Sequence, residues 1–341
     1  MLYYLGIAAF ELVLYVLYNY AYTQRQKKWI FILGCLGLWL FVGLRSDTTG
    51  VDTIGYMRRF QNIAETAWED IPLTTDRDYG FYYFTKLIRC ITDSGIAFKL
   101  ITAFISLIGV FDLCWRNTKR PVLALYFYVT IGNLLFILTG MRQAMAMGIC
   151  LISVRFIQKR KIIPFVILVM LAAQFHHSAY IFLPMYFLGV RRVDTKNMLI
   201  TMAVTIAAYF SYEKLLMIAN EVLDYNYGVE KIDNGGIFFA ILIIILGLAL
   251  VTKTRWMKEV KERVVMNTGV ICVVVWIFRL IGRTAERPSM YFLNAIPVIF
   301  SESVDSVENG EMRVFVEIGA VVLTFAFFAY RTMGLPYAFG F

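Results

Sequence analysis

The sequence predicts an all-α polytopic membrane protein with about twelve transmembrane or partly re-entrant helices. Three observations predict it. Of 341 residues, 60% are apolar, against roughly 45–50%, glycine included, in soluble domains. Charged residues make up 17%, against about 25%, and mean hydropathy is +0.66. Apolar runs of helical length recur along the whole chain. A disordered, fibrous or ordinary soluble protein is excluded. Lysine and arginine number 33 against 24 acids, a net charge of +9. In a membrane protein that surplus sits in cytoplasmic loops, so no nucleic-acid partner is expected.

The elements follow in order. Segment 1–20 lacks a basic leader and a small-residue cleavage site, so it reads as a retained helix, not a signal peptide. Arg25, Lys27 and Lys28 separate it from 29–45. The 46–95 loop comes next, acidic on balance, with eight acids against five bases. Arg116, Lys119 and Arg120 divide 97–115 from 121–139, and Arg155, Lys159, Arg160 and Lys161 close 141–157. The 162–176 and 177–190 segments form a hairpin turning at 176–178. One long helix there would carry Arg191, Arg192 and Lys196 to the wrong side. Segment 198–217 leads into the acidic 218–235 loop. Lys253, Arg255, Lys258, Lys261 and Arg263 follow 236–252. Segments 264–282, 288–301 and 313–331 complete the set. A helix of about 14 residues covers about 21 Å of a ~30 Å hydrocarbon core, so 141–157 and 162–190 are tilted, locally thinned or partly re-entrant. Every second loop is basic, which marks the cytoplasmic side. One loop disagrees: 302–312 is acidic and falls inside. No repeat or low-complexity tract interrupts the chain, which reads as one transmembrane domain over 1–341, with its largest extracytoplasmic loop at about 46–95.

Five cysteines (Cys35, Cys90, Cys114, Cys150, Cys272) lie far apart in sequence, as neither a disulfide framework nor a zinc site would have them. Two adjacent histidines are all the imidazole there is. No metal and no cofactor is expected.

The unusual polar residues collect at the outer boundary of the membrane. Arg45 ends the second segment, with Asp47 and Asp52 just beyond. Arg142 and Gln143 open the fifth. His176, His177 and Ser178 make the hairpin turn. Arg279 and Arg283 share a helix face at i, i+4 spacing, and Glu286, Arg287 and Pro288 open the next helix. Ionisable groups at the edge of an apolar bundle are costly and point to function. Helix starts present free N–H groups and partial positive charge, and arginine adds a planar fork for phosphate oxygens. Arginines 45, 142, 283 and 287 therefore suit a pyrophosphate whose lipid tail lies in the bilayer. Arg58, Arg59 and Arg77 are read as snorkelling or loop-pairing residues. Glu11 is given a structural role. The run Tyr79, Phe81, Tyr82, Tyr83, Phe84 anchors a short helix among headgroups.

These residues carry a resemblance. Arg45…Gly50-Val51-Asp52-Thr53…Tyr56…Phe60 resembles the R…G-x-D-x…Y…F signature of the EpsG-type family of Wzy-like exopolysaccharide and capsular polysaccharide polymerases. Asp78-Tyr79-Gly80-Phe81 is similar to its acidic-x-G-aromatic segment. Arg142-Gln143-Ala144 resembles the R-Q-x-[ILM]-A helix start. Phe175-His176-His177-Ser178-Ala179 matches F-H-x-S-A, so His176 is the residue that maps. Arg283…Arg287…Tyr291-Phe292 resembles the late R-x-x-x-Y-F element.

The resemblance implies a GT-C-like fold and metal-independent glycosyl transfer at the outer face of a bacterial plasma membrane. A growing glycan would move from undecaprenyl diphosphate onto a lipid-linked repeat unit. It implies His176 or Asp52 as the base, and Arg142, Arg283, Arg287 and Arg45 around the diphosphate. Gln143, Arg279, Asp78, Tyr56 and Ser178 would support them. Lipid-linked repeat units as donor and acceptor, membrane lipids, a chain-length regulator and a flippase are the implied partners. Two other readings compete: a glycan ligase of similar chemistry, and a flippase or transporter of the same lipid-linked glycan. A transporter would more often show repeats and charges at the membrane midplane.

Overall fold

The computed structural model describes residues 1–75, 77–211, 213, 214, 217, 218, 221, 235–282 and 286–340. Among the described residues the chain is helical throughout, with one isolated antiparallel bridge between Arg45 and Phe339. Five helices are long and apolar enough to cross a membrane: α1 (Leu2–Tyr20), α2 (Gln24–Gly43), α5 (Gly95–Asn117), α12 (Gly236–Trp256) and α16 (Gly310–Thr332). Between α2 and α5 lie the short helices α3 (Thr53–Asn62) and α4 (Tyr79–Ile91).

The remaining expected spans are shorter, broken or more charged. The run 121–139 splits into α6 (Pro121–Thr130) and α7 (Asn133–Ile137). Helices α8 (Met141–Gln158) and α9 (Ile162–Phe175) match their expected segments closely. The 177–190 run is a 3-10 turn, His177–Phe182, followed by α10 (Met185–Leu188). Pro184 lies between these two pieces, where its missing N–H cannot continue a helix ladder. Helix α11 (Thr195–Phe210) follows, and α13 (Val260–Arg279) comes after α12. The expected 288–301 helix becomes α14 (Glu286–Leu293) and α15 (Ile296–Asp305). Pro297 sits at the start of α15, where its ring is tolerated and the preceding turn is not.

Local signals set several ends. Thr23 and Gln26 form a capping box at the start of α2, the T-x-x-Q pattern that satisfies free N–H groups reciprocally. Ser94 and Asn309 accept from the first-turn amides of α5 and α16.

The bundle closes around α6 and α8. Every residue of α6 is buried, as expected of a helix that is apolar on all sides. Helix α5 lies so close to α8 that a Cβ on Gly109 would come within 2.0 Å of the Gly148 carbonyl oxygen; small residues permit such contact between membrane helices. Exposed apolar side chains line the outer faces of the bundle, among them Leu17, Leu33, Ile167, Val251 and Leu323. That surface suits hydrocarbon, not water.

The acidic 302–312 loop finds its reason at one end of the bundle. Arg120 pairs with Asp305 at 2.8 Å and with Glu317 at 2.5 Å, and Arg255 pairs with Glu308 at 2.5 Å. Glu302 accepts from the Lys119 amide at 2.6 Å. Asp305 and Glu308 are thus paired with arginines of the basic loops, and Glu302 lies beside them. At the opposite end the C-terminal tail runs beside the end of α2. The Ser46 amide donates to Ala338 at 2.7 Å, the Gly340 amide donates to Leu44 at 2.8 Å, and the Tyr337 ring stacks on Phe41 at 4.3 Å.

Candidate functional site

The second end of the bundle carries the polar site. The stretch after α2 docks first. Gly50 has φ +87°, and a Cβ there would come within 1.9 Å of the Leu138 carbonyl oxygen. No other residue fits both demands. The Thr53 hydroxyl donates to the carbonyls of Thr49 at 2.7 Å and Leu138 at 3.2 Å. This seats the start of α3 against the α7–α8 connection. Positions 52, 55, 56 and 59 then share one face of α3, by helical periodicity.

A second docking brings in α4. Its cap, Asp78, adopts the left-handed conformation at φ 60°, ψ 36°, which Asp tolerates better than most residues. Two residues on, a Cβ at Gly80 would meet the Gln174 Cβ at 2.5 Å and its carbonyl oxygen at 2.9 Å. Glycine thus lets α4 lie directly on the end of α9 and puts Asp78 beside the hairpin turn. Gly80→Ala should cost roughly 1–3 kcal/mol of stability and pull Asp78 from its partners. A lowered melting temperature of the purified protein, with weakened activity, is the expected readout; wild-type behaviour in both would show that the contact relaxes freely.

Asp78 is the hub. It is buried, and its two oxygens take four hydrogen bonds. Oδ2 accepts from Arg142 Nη1 at 2.9 Å and from His176 Nδ1 at 3.1 Å. Oδ1 accepts from the His177 amide at 2.9 Å and from His177 Nδ1 at 3.1 Å. Burial alone would favour the neutral acid. The hydrogen bonds from the two histidines outweigh it and hold the carboxyl well below the usual carboxylate range. For His176, burial dominates and lowers its pKa from about 6.5, despite the opposing pull of Asp78. Both shifts favour ionised Asp78 beside neutral His176 at neutral pH. Nδ1 of His176 is then the donor to Asp78, and Nε2 keeps its lone pair.

The cavity above this hub measures about 470 Å³, within the range of ligand clefts. Asp52, Tyr56, Arg59, Arg142, Gln143, His176 and Arg287 are in its wall. Arg142 bonds Tyr56 as well, and its buried Nε has no partner among the described residues. Gln143 donates to the Arg287 carbonyl at 2.6 Å, holding the start of α14 against the start of α8. Asp52, Tyr56, Arg142, Gln143, His176 and Arg287 are thus brought together as the sequence led us to expect.

Others stand apart. Arg45 is buried, donates to the Val42 carbonyl at 2.6 Å, and is not in the cavity wall. Its neighbourhood is the C-terminal tail and the Lys99–Asp47 pair at 2.6 Å, not Asp52. Arg279 pairs with Glu286 at 2.7 Å and also lies outside the wall. Ser178 bonds the Tyr291 hydroxyl at 3.0 Å, bracing the hairpin turn against α14. Arg283 lies outside the described residues, as do parts of the acidic 218–235 loop.

Two features were missed by sequence reasoning. Arg59, read as a snorkelling residue, is in the cavity wall; its i+7 spacing from Asp52 was the available signal. Asp78 was given only a supporting place, because nothing in sequence shows that two histidines and an arginine about a hundred and about sixty residues away converge on it. Asp78, His176 and His177 also present ligand atoms within 4.8 Å of one another, a set able to hold a metal ion. The same carboxylate is ion-paired with Arg142.

Fold and site together define a helical membrane protein with a cationic, histidine-bearing cavity at one end of its bundle. The sequence matches the EpsG family over residues 28–339, and the chain belongs to that family. Membership points to polysaccharide biosynthesis of the polymerase type. Among curated proteins and solved structures nothing matches.

Proposed function

We propose that this protein is a Wzy-like polysaccharide polymerase with a GT-C-like architecture. It transfers a growing glycan from undecaprenyl diphosphate to a lipid-linked repeat unit at the outer face of the bacterial plasma membrane. The observation that carries the reading is that one buried carboxylate, Asp78, holds both His176 and Arg142 at the wall of one cavity.

On this reading each group has a task. His176 Nε2 takes the proton of the acceptor sugar hydroxyl. The hydroxyl oxygen forms a bond to the anomeric carbon of the donor glycan, and the bond from that carbon to the diphosphate oxygen breaks with its electron pair. Arg142 and Arg287 stabilise the departing diphosphate charge, and Asp78 keeps the histidine in the accepting tautomer. The proton leaves His176 to solvent after transfer. Because the leaving group is already a diphosphate, arginines can do what a divalent cation does elsewhere, and the proposed reaction needs no metal.

The test has two arms. Purified protein in a lipid bilayer, given the lipid-linked repeat unit of the producing strain, should form a ladder of products in the presence of EDTA. Absence of a ladder, or a ladder only with added divalent metal, would overturn the metal-independent polymerase. In intact cells, exposed Cys90 on α4 should react with a membrane-impermeant thiol reagent, and Cys90→Ser should remove the label. Labelling only after lysis would turn the site inward.

A further inference from the structure

A second cavity of about 300 Å³ adjoins the first, and the two share Gly55 and Arg59. Its wall includes Arg58, Arg59, Asn62, Thr66 and Tyr82. Among the described residues no aspartate or glutamate lines it. That absence is unexpected, because the loop that builds it is acidic on balance. Three of the loop's acids are held elsewhere: Asp47 by Lys99, Asp93 by Arg89, Asp78 by Arg142 and the histidines, and Asp52 is in the wall of the first cavity. Among the described residues neither Arg58 nor Arg59 has an ion-pair partner. The Arg59 guanidinium lies 4.7 Å from the centre of the Tyr82 ring, a contact that restrains a planar cation before any ligand arrives. An amide and a hydroxyl, from Asn62 and Thr66, complete a wall suited to sugar hydroxyls as well as to charge.

We infer that this second cavity is a glycan subsite that selects a sugar carrying a carboxylate, with Arg58 and Arg59 reading the acid and Asn62 and Thr66 the neighbouring hydroxyls. The inference rests on the glycan-transfer reading above and deepens it by naming the substrate class. The shared wall at Gly55 and Arg59 is the route by which one glycan occupies both cavities, its reacting end beside His176 and its acidic sugar beside Arg58. A fork-shaped cation fits a carboxylate through two parallel hydrogen bonds, and a neutral sugar offers nothing equivalent.

The experiment uses the purified full chain in phosphatidylcholine nanodiscs, with ligand-observed NMR titrations of a glucuronate trisaccharide and of maltotriose. Inorganic pyrophosphate, titrated separately, reads the first cavity. The acidic trisaccharide should bind at least about tenfold more tightly than the neutral one. Arg58→Gln should remove most of that preference and leave pyrophosphate binding unchanged, since Arg58 is absent from the first wall. Gly55→Trp should block the trisaccharide by bulk; a Cβ there meets nothing within 4 Å, so the helix accepts it. Equal binding of the two trisaccharides, or an acidic preference that survives Arg58→Gln, would overturn the subsite. An intact preference with no pyrophosphate binding to the wild type would support the subsite and overturn the diphosphate assignment instead.

Discussion

Replacing His176 with alanine should reduce chain extension by about 10²–10⁴-fold, the usual contribution of a positioned proton acceptor, while donor lipid still binds. The expectation follows from the Asp78 pairing. An ionised carboxylate at 3.1 Å from Nδ1 leaves Nε2 as the only basic atom of the ring, and His176 is in the cavity wall. Burial holds the ring neutral at pH 7 by lowering its pKa from about 6.5. The sign is then set: activity requires the neutral ring, so it should be full at neutral pH and fall only as pH drops through a value below 6.5. Asp52 is the rival base in the same wall. If Asp52→Asn abolishes transfer with binding intact, and His176→Gln stays active with an unchanged acid limb, the two roles are reversed. His177 shares Asp78 through its amide and its ring, so His177→Ala should weaken transfer by loosening the hub, less than His176→Ala does. The motif alone, in which that position varies, implied a mild effect; the second contact to Asp78 is the reason to expect more.

Replacing Arg142 with alanine should have the other large effect. The residue has two tasks at once. It ion-pairs the buried Asp78 at 2.9 Å, and it presents a buried Nε without a partner at the cavity wall. Losing a charge-assisted contact to a phosphate costs roughly 1.5–3 kcal/mol, or about ten- to a hundredfold in affinity. Binding of donor lipid or pyrophosphate should fall by that factor, and chain extension further, because His176 loses the geometry of its partner. Lysine should restore little, since a single ammonium cannot bond Asp78 and a phosphate as a fork does. Arg287→Ala should lower diphosphate affinity without disturbing His176, as the bond from Gln143 that seats it is to its backbone carbonyl, which alanine keeps. Alanine variants at 142 that insert normally and still make long polymer would remove the diphosphate assignment.

The contrast between Arg45 and Arg142 shows what was legible in the sequence. Both were arginines at the outer ends of expected helices, and both fell within motifs. Arg142 starts a helix whose first turn opens on the cavity. Arg45 ends one, and the returning C-terminal tail covers it through a pairing with Phe339. A tail about 290 residues downstream leaves no local mark at Arg45. The same holds for α3, where helical spacing on its own put Asp52, Tyr56 and Arg59 on one face, but only its docking through Gly50 and Thr53 turned that face toward His176.

Composition and loop charge by themselves determined the class of protein, the extent of helices such as α1, α5, α8, α9 and α16, and the gathering of several polar groups at one end of the bundle. These rest on local physics: apolar length, capping, proline and the charge of short loops each act within a few residues. Tertiary structure alone decided that several expected spans are broken, that the acids of 302–312 answer the arginines beside them, and that Asp78 is the centre of the site. Those depend on close approaches between distant segments. Glycine 80 on the end of α9 is the clearest of them, because it brings a carboxylate to two histidines 98 and 99 residues away. Burial then favours neutral His176, and the hydrogen bonds gathered on Asp78 favour its ionised form; both are properties of the packed bundle, not of any stretch of the chain.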